Sequence, residues 1–585
     1  MTLLLFLFSI SLLYIRRNAF HVGDCGFGMA AGMAFLTLTT FAGARFNCFP
    51  SSCVLPIACS AYIFFQLLFS KQGFHFRVFL QQVRRYWRSF AFAVVIFVFL
   101  WYLMVYRELL PRGTDAVTHA LLAEKILRTG ALCKDWLPFD PGKVVYPQGI
   151  HAVIAAIATM LKCSIPKAEQ ILQFSFLLPT SLLIGALAMR FFASRMAGWY
   201  AALTFVLLGN IGTFYDYWVW GGYPAMMGAF SVPALFWYVF HPNPRLREHI
   251  AAICIWGAMG VIHYSSFMIT AIMIIPWGAA LIWKKEAIRK KAFQRFLTTF
   301  LLSNIINLIL IPFSLDKTHG FGDIFHQTDD TMTPPLFVFV KLGVFMIILS
   351  ALGVQYALMK DAQQKNVSRR VQMSFYLLYF ITGMFMFLMT DYVIRYFASY
   401  TGEDFTWFVP LRFLATCTLP MTILSGGGLV LLQKKLKNKT YVLYILHVGL
   451  LTVGVVRFWV QFPHKQLNDD VIRLAKEIRN VTPENAFLLY DSYNLPDPLW
   501  TPVLAWRACL IPPLPSSEDR SYFRENYRLF TAQDIEPELR LKKIRRFLKS
   551  RDLEPWVIRI EEDGRANAIP LVSLMPENDS SDSDK

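Results

Sequence analysis

In the stretch RGTDAVTHALLAEKILRTG, residues 112–130, Asp115 and His119 stand four residues apart. On a helix that spacing puts both on one face, so a carboxylate and an imidazole can converge on one spot. A carboxylate within hydrogen-bond reach of a hydroxyl or amine can take its proton. The imidazole can hydrogen-bond that acid or bind an acceptor or a phosphate. The plainer alternative for Asp115 is a cap on a surface helix. A guanidinium presents paired planar donors that suit a phosphate, a chemistry open to Arg412 and Arg395. Further candidates are Tyr146 and His151 in KVVYPQGIHAVIAAIATML, Trp220 and Tyr223 in WGGYPAMMGAF, and Asp216 in YDYWVWGG. Each has a structural alternative: His151 packing a helix, Trp220 to Pro224 forming a tight turn with an interfacial aromatic anchor, and Arg412 snorkelling at a membrane edge. His263, followed by Tyr264 and Ser265, reads as a satisfied polar turn between two apolar runs.

The elements that hold these residues are membrane spans. Of 585 residues, 55% are hydrophobic and 16% charged. Runs such as FAFAVVIFVFLWYLMVY and LFVFVKLGVFMIILSALGVQYAL are near-continuously apolar, and runs of about 18 residues or more read as bilayer spans. About fourteen segments qualify: roughly 2–15, 26–44, 52–70, 89–106, 171–189, 197–214, 223–240, 249–264, 266–283, 296–314, 336–358, 372–390, 412–432 and 440–460. The first is short and its positive charges follow it, unlike a cleaved signal; a truncated start or an N-terminus outside would each account for it. Lys and Arg alternate in the connecting loops, with 25 on one side and only Arg45, Lys317, Arg395 and Arg412 in the short loops on the other. The positive-inside rule puts the larger set in the cytoplasm. Segments 107–170, 215–222, 315–335 and 391–411, and everything after 461, then face away from it. The loops account for most of the net charge of +18, so nucleic acid is not an expected partner.

Segment 107–170 is too long for a linker. Thr114 can cap a helix that starts at Asp115 and that Gly130 ends. After Tyr146–Pro147–Gln148–Gly149, a second amphipathic helix is expected to lie along the membrane surface. Two such helices make a lid or platform. Near the C-terminus, VIRLAKEIRNVTPENAFLLYD reads as helix, turn and strand, and LRLKKIRRFLKSRDLEPWVIRIEED repeats the order, which predicts a small α/β domain over 462–575. The acidic tail PENDSSDSDK, 576–585, is expected to be disordered. No glycine-rich phosphate loop or nucleophile elbow occurs. The nine cysteines show neither C-x-x-C nor metal-ligand spacing, although Cys133 and Cys163 share the outward segment and can pair in an oxidising compartment.

An outward loop that opens with an acid near the end of a span, carries D-x-x-x-H and continues into Y-P-x-G-x-H resembles the GT-C superfamily of integral-membrane glycosyltransferases. That superfamily includes protein O-mannosyltransferases, the aminoarabinose transferase of lipid A and the catalytic subunit of oligosaccharyltransferase. The likeness extends to WGGYPAMMGAF at 220–230 and PLRFLATCTLPMTILSGGGLVLL at 410–432 and covers roughly 89–585. With the apolar segments counted above, it implies an all-α polytopic membrane protein of about fourteen transmembrane helices. Three additional helices and a basic cytoplasmic loop in 1–88 precede a GT-C-like core at 89–461, and a small α/β domain follows outside the membrane. The implied activity moves a sugar from a polyprenyl-phosphate donor to a glycan, lipid or protein acceptor at the outer face of the cytoplasmic membrane. Asp115 then takes the place of an acid that acts as general base or metal ligand, with His119 beside it. Tyr146, His151, Trp220 and Tyr223 fall to substrate binding, and Arg412 and Arg395 to the lipid phosphate. Glu403 and Asp404 fall in a loop where oligosaccharyltransferases carry an acid. Asp216 alone matches part of a D-x-D metal motif, which leaves a divalent metal, Mg or Mn, open. Two other classes stay in view. A transporter or flippase would place ionisable residues near the midplane, where Lys341 is the clearest charge inside a span. A non-catalytic scaffold would use the C-terminal domain to bind a partner.

Overall fold

Helices with apolar sides all round pack only against each other or lipid, and that constraint organises the chain. The computed structural model describes residues 21–49, 51–54, 95–107, 110–111, 114–136, 140–144, 147–208, 211–220, 222–241, 243–283, 287–310, 335–364, 367–394, 410–436, 465–489, 500–509, 553–560 and 566–570, with single positions 58, 84, 396 and 449. Helix α1 (Val22–Arg45) is followed by α2 (Thr114–Thr129), a two-stranded antiparallel ribbon of β1 (Asp135–Trp136) and β2 (Asp140–Lys143), and α3 (Gly149–Leu161). Then come α4 (Ile165–Phe192), α5 (Arg195–Leu207), the short α6 (Phe214–Trp220), α7 (Tyr223–Val239), α8 (Leu246–Ile262), α9 (Tyr264–Trp283) and α10 (Ala287–Leu310). The series closes with α11 (Pro335–Leu342), α12 (Val344–Gln364), α13 (Val367–Leu388) and α14 (Pro410–Lys435). Local chemistry sets several of the ends. Pro166 sits in the first turn of α4, the Ser194 hydroxyl accepts the Ala197 N–H to start α5, and the Glu248 carboxylate accepts the Arg245 N–H at the start of α8.

Among the described residues, six helical stretches are long and apolar enough to cross a membrane: α1, α4, α14, parts of α10 and α12, and α13 with the π-helical turn Met389–Ile394 that continues it. Candidate spans 2–15, 52–70 and 440–460 lie almost wholly outside the described residues, and 89–106 is described only from Val95. Helices α1, α4 and α14 are mostly buried, whereas α10 turns Leu301, Ile305 and Leu308 outward, as lipid-facing side chains would be. Helix α14 packs on α5, α12 and α13. The sequence Ser425–Gly426–Gly427–Gly428 brings its backbone against the Ala197 carbonyl of α5, the Phe192 ring and the Leu349 carbonyl of α12, the close small-residue approach on which helices in lipid depend. Helix α1 packs on α3, α4 and α8, and its buried Asp24 accepts the Trp237 indole N–H at 3.1 Å.

Two expectations are corrected. The run 336–358 is two helices, not one: Gly343 has φ of +77°, a left-handed conformation that ends α11 and places Lys341 in its last turn. Helix α3 does not lie as an amphipathic helix on a surface. Gly149 to Ala158 are all buried, because a helix apolar on every side is satisfied only by packing, here on α1, α2 and α4. Cys133 and Cys163 are both free thiols, and Cys133 is buried with its sulfur toward the Leu122 carbonyl.

The C-terminal part contains α15 (Lys465–Val481), β3 (Ala486–Leu489), α16 (Trp500–Ala505), β4 (Ala508–Cys509), β5 (Glu554–Ile560) and β6 (Ala566–Pro570). The sheet order is β4-β3-β5-β6, with β3 parallel to both neighbours and β6 antiparallel to β5. The helix, turn and strand expected from VIRLAKEIRNVTPENAFLLYD are present, while the second expected helix, in LRLKKIRRFLKSRD, lies outside the described residues. This part touches the helical part at α2, where the Arg128 guanidinium stands 4.6 Å from the centre of the Trp506 ring.

Candidate functional site

Asp115 opens α2, and Gly130 closes it as its position in the sequence predicts. One turn after Asp115, His119 meets His151 of α3: His119 Nδ1 and His151 Nε2 are 3.0 Å apart, and one of the two donates. Both rings are buried, so both imidazoles are held neutral. Burial brings the His119 pKa down to about 3, and burial with the neighbouring His119 holds His151 well below the usual imidazole range. His151 therefore packs α3 against α2 and also pairs with the candidate site. Burial pushes the Asp115 carboxyl above the usual carboxylate range, and the positive charge of Arg412 offsets part of that push.

Arg412 is the centre of the arrangement. It stands in the first turn of α14, and its Nη1 donates to His263 Nε2 at 2.8 Å and to the Ser265 hydroxyl, both in the turn joining α8 to α9. The same guanidinium acts electrostatically on Asp115 from α2 and on Tyr217 from α6. Tyr217 is buried beside Asp216, and these surroundings push its hydroxyl well above the usual phenol range. The Asp216 carboxylate accepts the Gly212 N–H at 3.0 Å, which ties the start of α6 to the preceding turn. Asp115, Asp216 and Arg412, far apart in sequence, thus gather at one end of the helical bundle.

A narrow cavity of about 40 Å³ runs inward from this point. Gly212, Tyr217, Ser266 and Arg412 line it at the site, and Ile184, Phe205, Ala229, Val232, Ile269 and Leu419 line it further along. Four threonines on its wall spend their hydroxyl protons within their own helices: Thr180 donates to Phe176, Thr270 to Ser266, Thr416 to Phe413 and Thr422 to Thr418. Their methyl groups and oxygen lone pairs are what they can offer a ligand. Arg412 is the one charged side chain on the described wall.

The sequence candidates divide accordingly. Asp115, His119, His151, Asp216 and Arg412 come together. Trp220 ends α6 and Tyr223 begins α7, so the stretch expected to turn, residues 220–224, is the junction of two helices, and the side chains of Trp220 and Tyr223 lie outside the described residues. Tyr146, Arg395, Glu403 and Asp404 also lie outside them. Among the described residues, no three of His, Cys, Asp and Glu converge as a metal-binding group. Sequence reasoning missed Tyr217 and Ser266 and set His263 and Ser265 aside as a polar turn. The available signal was the run His263–Tyr264–Ser265–Ser266, polar groups between two spans.

The helical architecture is similar to that of a solved membrane glycosyltransferase. The Archaeoglobus fulgidus oligosaccharyltransferase in its apo form superposes with a TM-score of 0.50 at 12% identity, over 81% of this chain and 69% of that one. ArnT from Cupriavidus metallidurans in the apo state gives 0.46 at 11% identity, over 80% of this chain and 93% of that one. The same ArnT bound to undecaprenyl phosphate gives 0.44 at 12% identity, with the same coverage of both chains. No family model matches the chain, and no curated protein matches it.

Proposed function

We propose that the protein is a glycosyltransferase that moves a sugar from a polyprenyl-phosphate carrier to an acceptor hydroxyl or amine at the outer face of the cytoplasmic membrane. The observation that carries this reading is the cavity: an apolar, hydroxyl-dotted space whose only charged wall residue among those described is Arg412, beside the partly buried carboxyl of Asp115. One cation at the end of an apolar space suits an amphiphile with one anionic head. The apolar part lies among the helices, and the phosphate meets the guanidinium.

Asp115 accepts the acceptor's proton as the acceptor oxygen or nitrogen bonds to the anomeric carbon. The bond from that carbon to the phosphate oxygen breaks, and its electron pair leaves with the phosphate. Arg412 stabilises the charge that develops there. His119 and His151, both neutral, hold α2 and α3 together behind Asp115. No step is routed through a metal ion. Orientation follows from the basic loops, which assign the end carrying α2, α3 and the C-terminal sheet to the outside.

The test incubates the purified full-length chain in lipid nanodiscs with a panel of radiolabelled polyprenyl-phosphate sugars and compares wild type with Asp115→Asn. Loss of the general base is expected to slow transfer about 10²- to 10⁴-fold. Transfer undiminished in the variant removes Asp115 from the chemistry, and no transfer from any donor by wild type argues for a different class.

A further inference from the structure

Among the buried groups that the proposed chemistry leaves unused, the turn His263–Tyr264–Ser265–Ser266 has the most completely built surroundings. Arginine only donates, so the contact with Arg412 Nη1 at 2.8 Å makes His263 Nε2 an acceptor and leaves the ring proton on Nδ1. The Ser266 hydroxyl stands 2.6 Å from Nδ1 and accepts that proton, whereas the Ser266 N–H, 3.2 Å from the same nitrogen, is itself a donor and makes no hydrogen bond to it in this tautomer. The Ser265 hydroxyl accepts from the same Arg412 nitrogen, so two neutral acceptors engage one end of the guanidinium. His263 is 3% exposed, and Ser266 lines the cavity that Arg412 also lines. From the far side, α7 presents Gly228, where a Cβ would fall 2.6 Å from that of Ser266, so the turn is wedged between α7 and α14.

A carboxylate in the place of His263 would orient the arginine equally well but would neutralise it. Imidazole and hydroxyl fix its direction without adding a negative charge beside it. We infer that His263 is the positioning residue of Arg412, a neutral imidazole whose Nε2 lone pair aims the guanidinium at a phosphate group entering the cavity. This rests on the proposed reading of the cavity as a polyprenyl-phosphate site and specifies how that site is held.

Binding of undecaprenyl phosphate to the full-length protein in nanodiscs tests it, with undecaprenol, the same chain without phosphate, as the reference probe. Arg412→Ala should abolish the preference for the phosphorylated lipid. His263→Ala should weaken phosphate-lipid binding about tenfold, the loss expected for one charge-assisted hydrogen bond, and leave undecaprenol binding unchanged. His263→Gln, whose side-chain oxygen can replace the Nε2 acceptor, should recover most of the loss. Wild-type preference in His263→Ala, alongside a lost preference in Arg412→Ala, overturns the positioning role and leaves the cavity reading standing. So does an equal loss in His263→Ala and His263→Gln with a matching fall in Tm, which marks a merely structural residue. A preference untouched by Arg412→Ala overturns the cavity reading itself.

Discussion

Asp115 must be ionised to accept a proton, and its surroundings make ionisation costly. Burial raises its pKa and Arg412 lowers it, with burial the larger effect. A base acts in its deprotonated form, so transfer should rise with pH as Asp115 loses its proton, with the acid limb above the ordinary carboxylate value of about 3.9. Arg412→Gln removes the opposing charge, and the limb of kcat/KM for residual transfer should move to higher pH. Arg412→Lys should hold it nearer the wild-type position. A limb unmoved by both substitutions would mean that the titrating group is not Asp115. His119, held at about 3, contributes no inflection between pH 5 and 8. At this scale the sequence was partly legible. Asp115 was visible because it opens a helix in a loop too long to be a linker. The Arg412–His263 pair was not, because the partners are 149 residues apart and a polar turn between spans gives no direction in which to look for an arginine.

The elements serve the site by how closely they approach. Adding a methyl group at Gly228 brings it to 2.6 Å from the Ser266 Cβ, closer than such atoms come, so Gly228→Ala must push α7 away from the turn that orients Arg412. Overpacking of this kind costs about 1–3 kcal/mol. The variant should unfold at lower temperature and also lose preference for undecaprenyl phosphate over undecaprenol. Gly257→Ala is the control: its new Cβ would meet the side chain of Ile306 at 3.2 Å, a contact a few tenths of an ångström of movement relieves, remote from the turn. Equal effects on lipid preference in the two variants would show that α7 does not position the turn. The positions of α2 and of the long apolar helices α1, α4, α13 and α14 could be read from apolar runs and end signals. The burial of α3 could also have been inferred, since GIHAVIAAIATML lacks a polar face, but the neighbouring polar loop suggested a surface. The break at Gly343 was hidden because the apolar run continues through it, and composition alone does not reveal one left-handed residue.

At the scale of the whole molecule, the fold ties three separated parts of the chain to one end. The Leu132 N–H donates to the Ala44 carbonyl, which joins the end of α1 to the segment after α2, and Arg128 of α2 lies against Trp506 of the C-terminal part. The alternation of basic loops assigned all three to the same side from sequence alone, because charge bias depends on loop composition and not on tertiary contacts. Which side that is can be tested with a native thiol. Cys48 lies just beyond α1 at this end and is the exposed free cysteine among those described, whereas Cys25, Cys53, Cys133, Cys417 and Cys509 are buried. Maleimides react with accessible thiolates, so exposure decides the outcome. In right-side-out membrane vesicles, a membrane-impermeant maleimide should label the wild-type protein without permeabilisation, and Cys48→Ser should remove that label. If the Cys48-dependent label appears only after the vesicles are opened, the end carrying Asp115 and Arg412 faces the cytoplasm. The acceptor would then have to be a cytoplasmic molecule, and the outer-face assignment of the proposed transfer would fall even with the cavity and its chemistry intact.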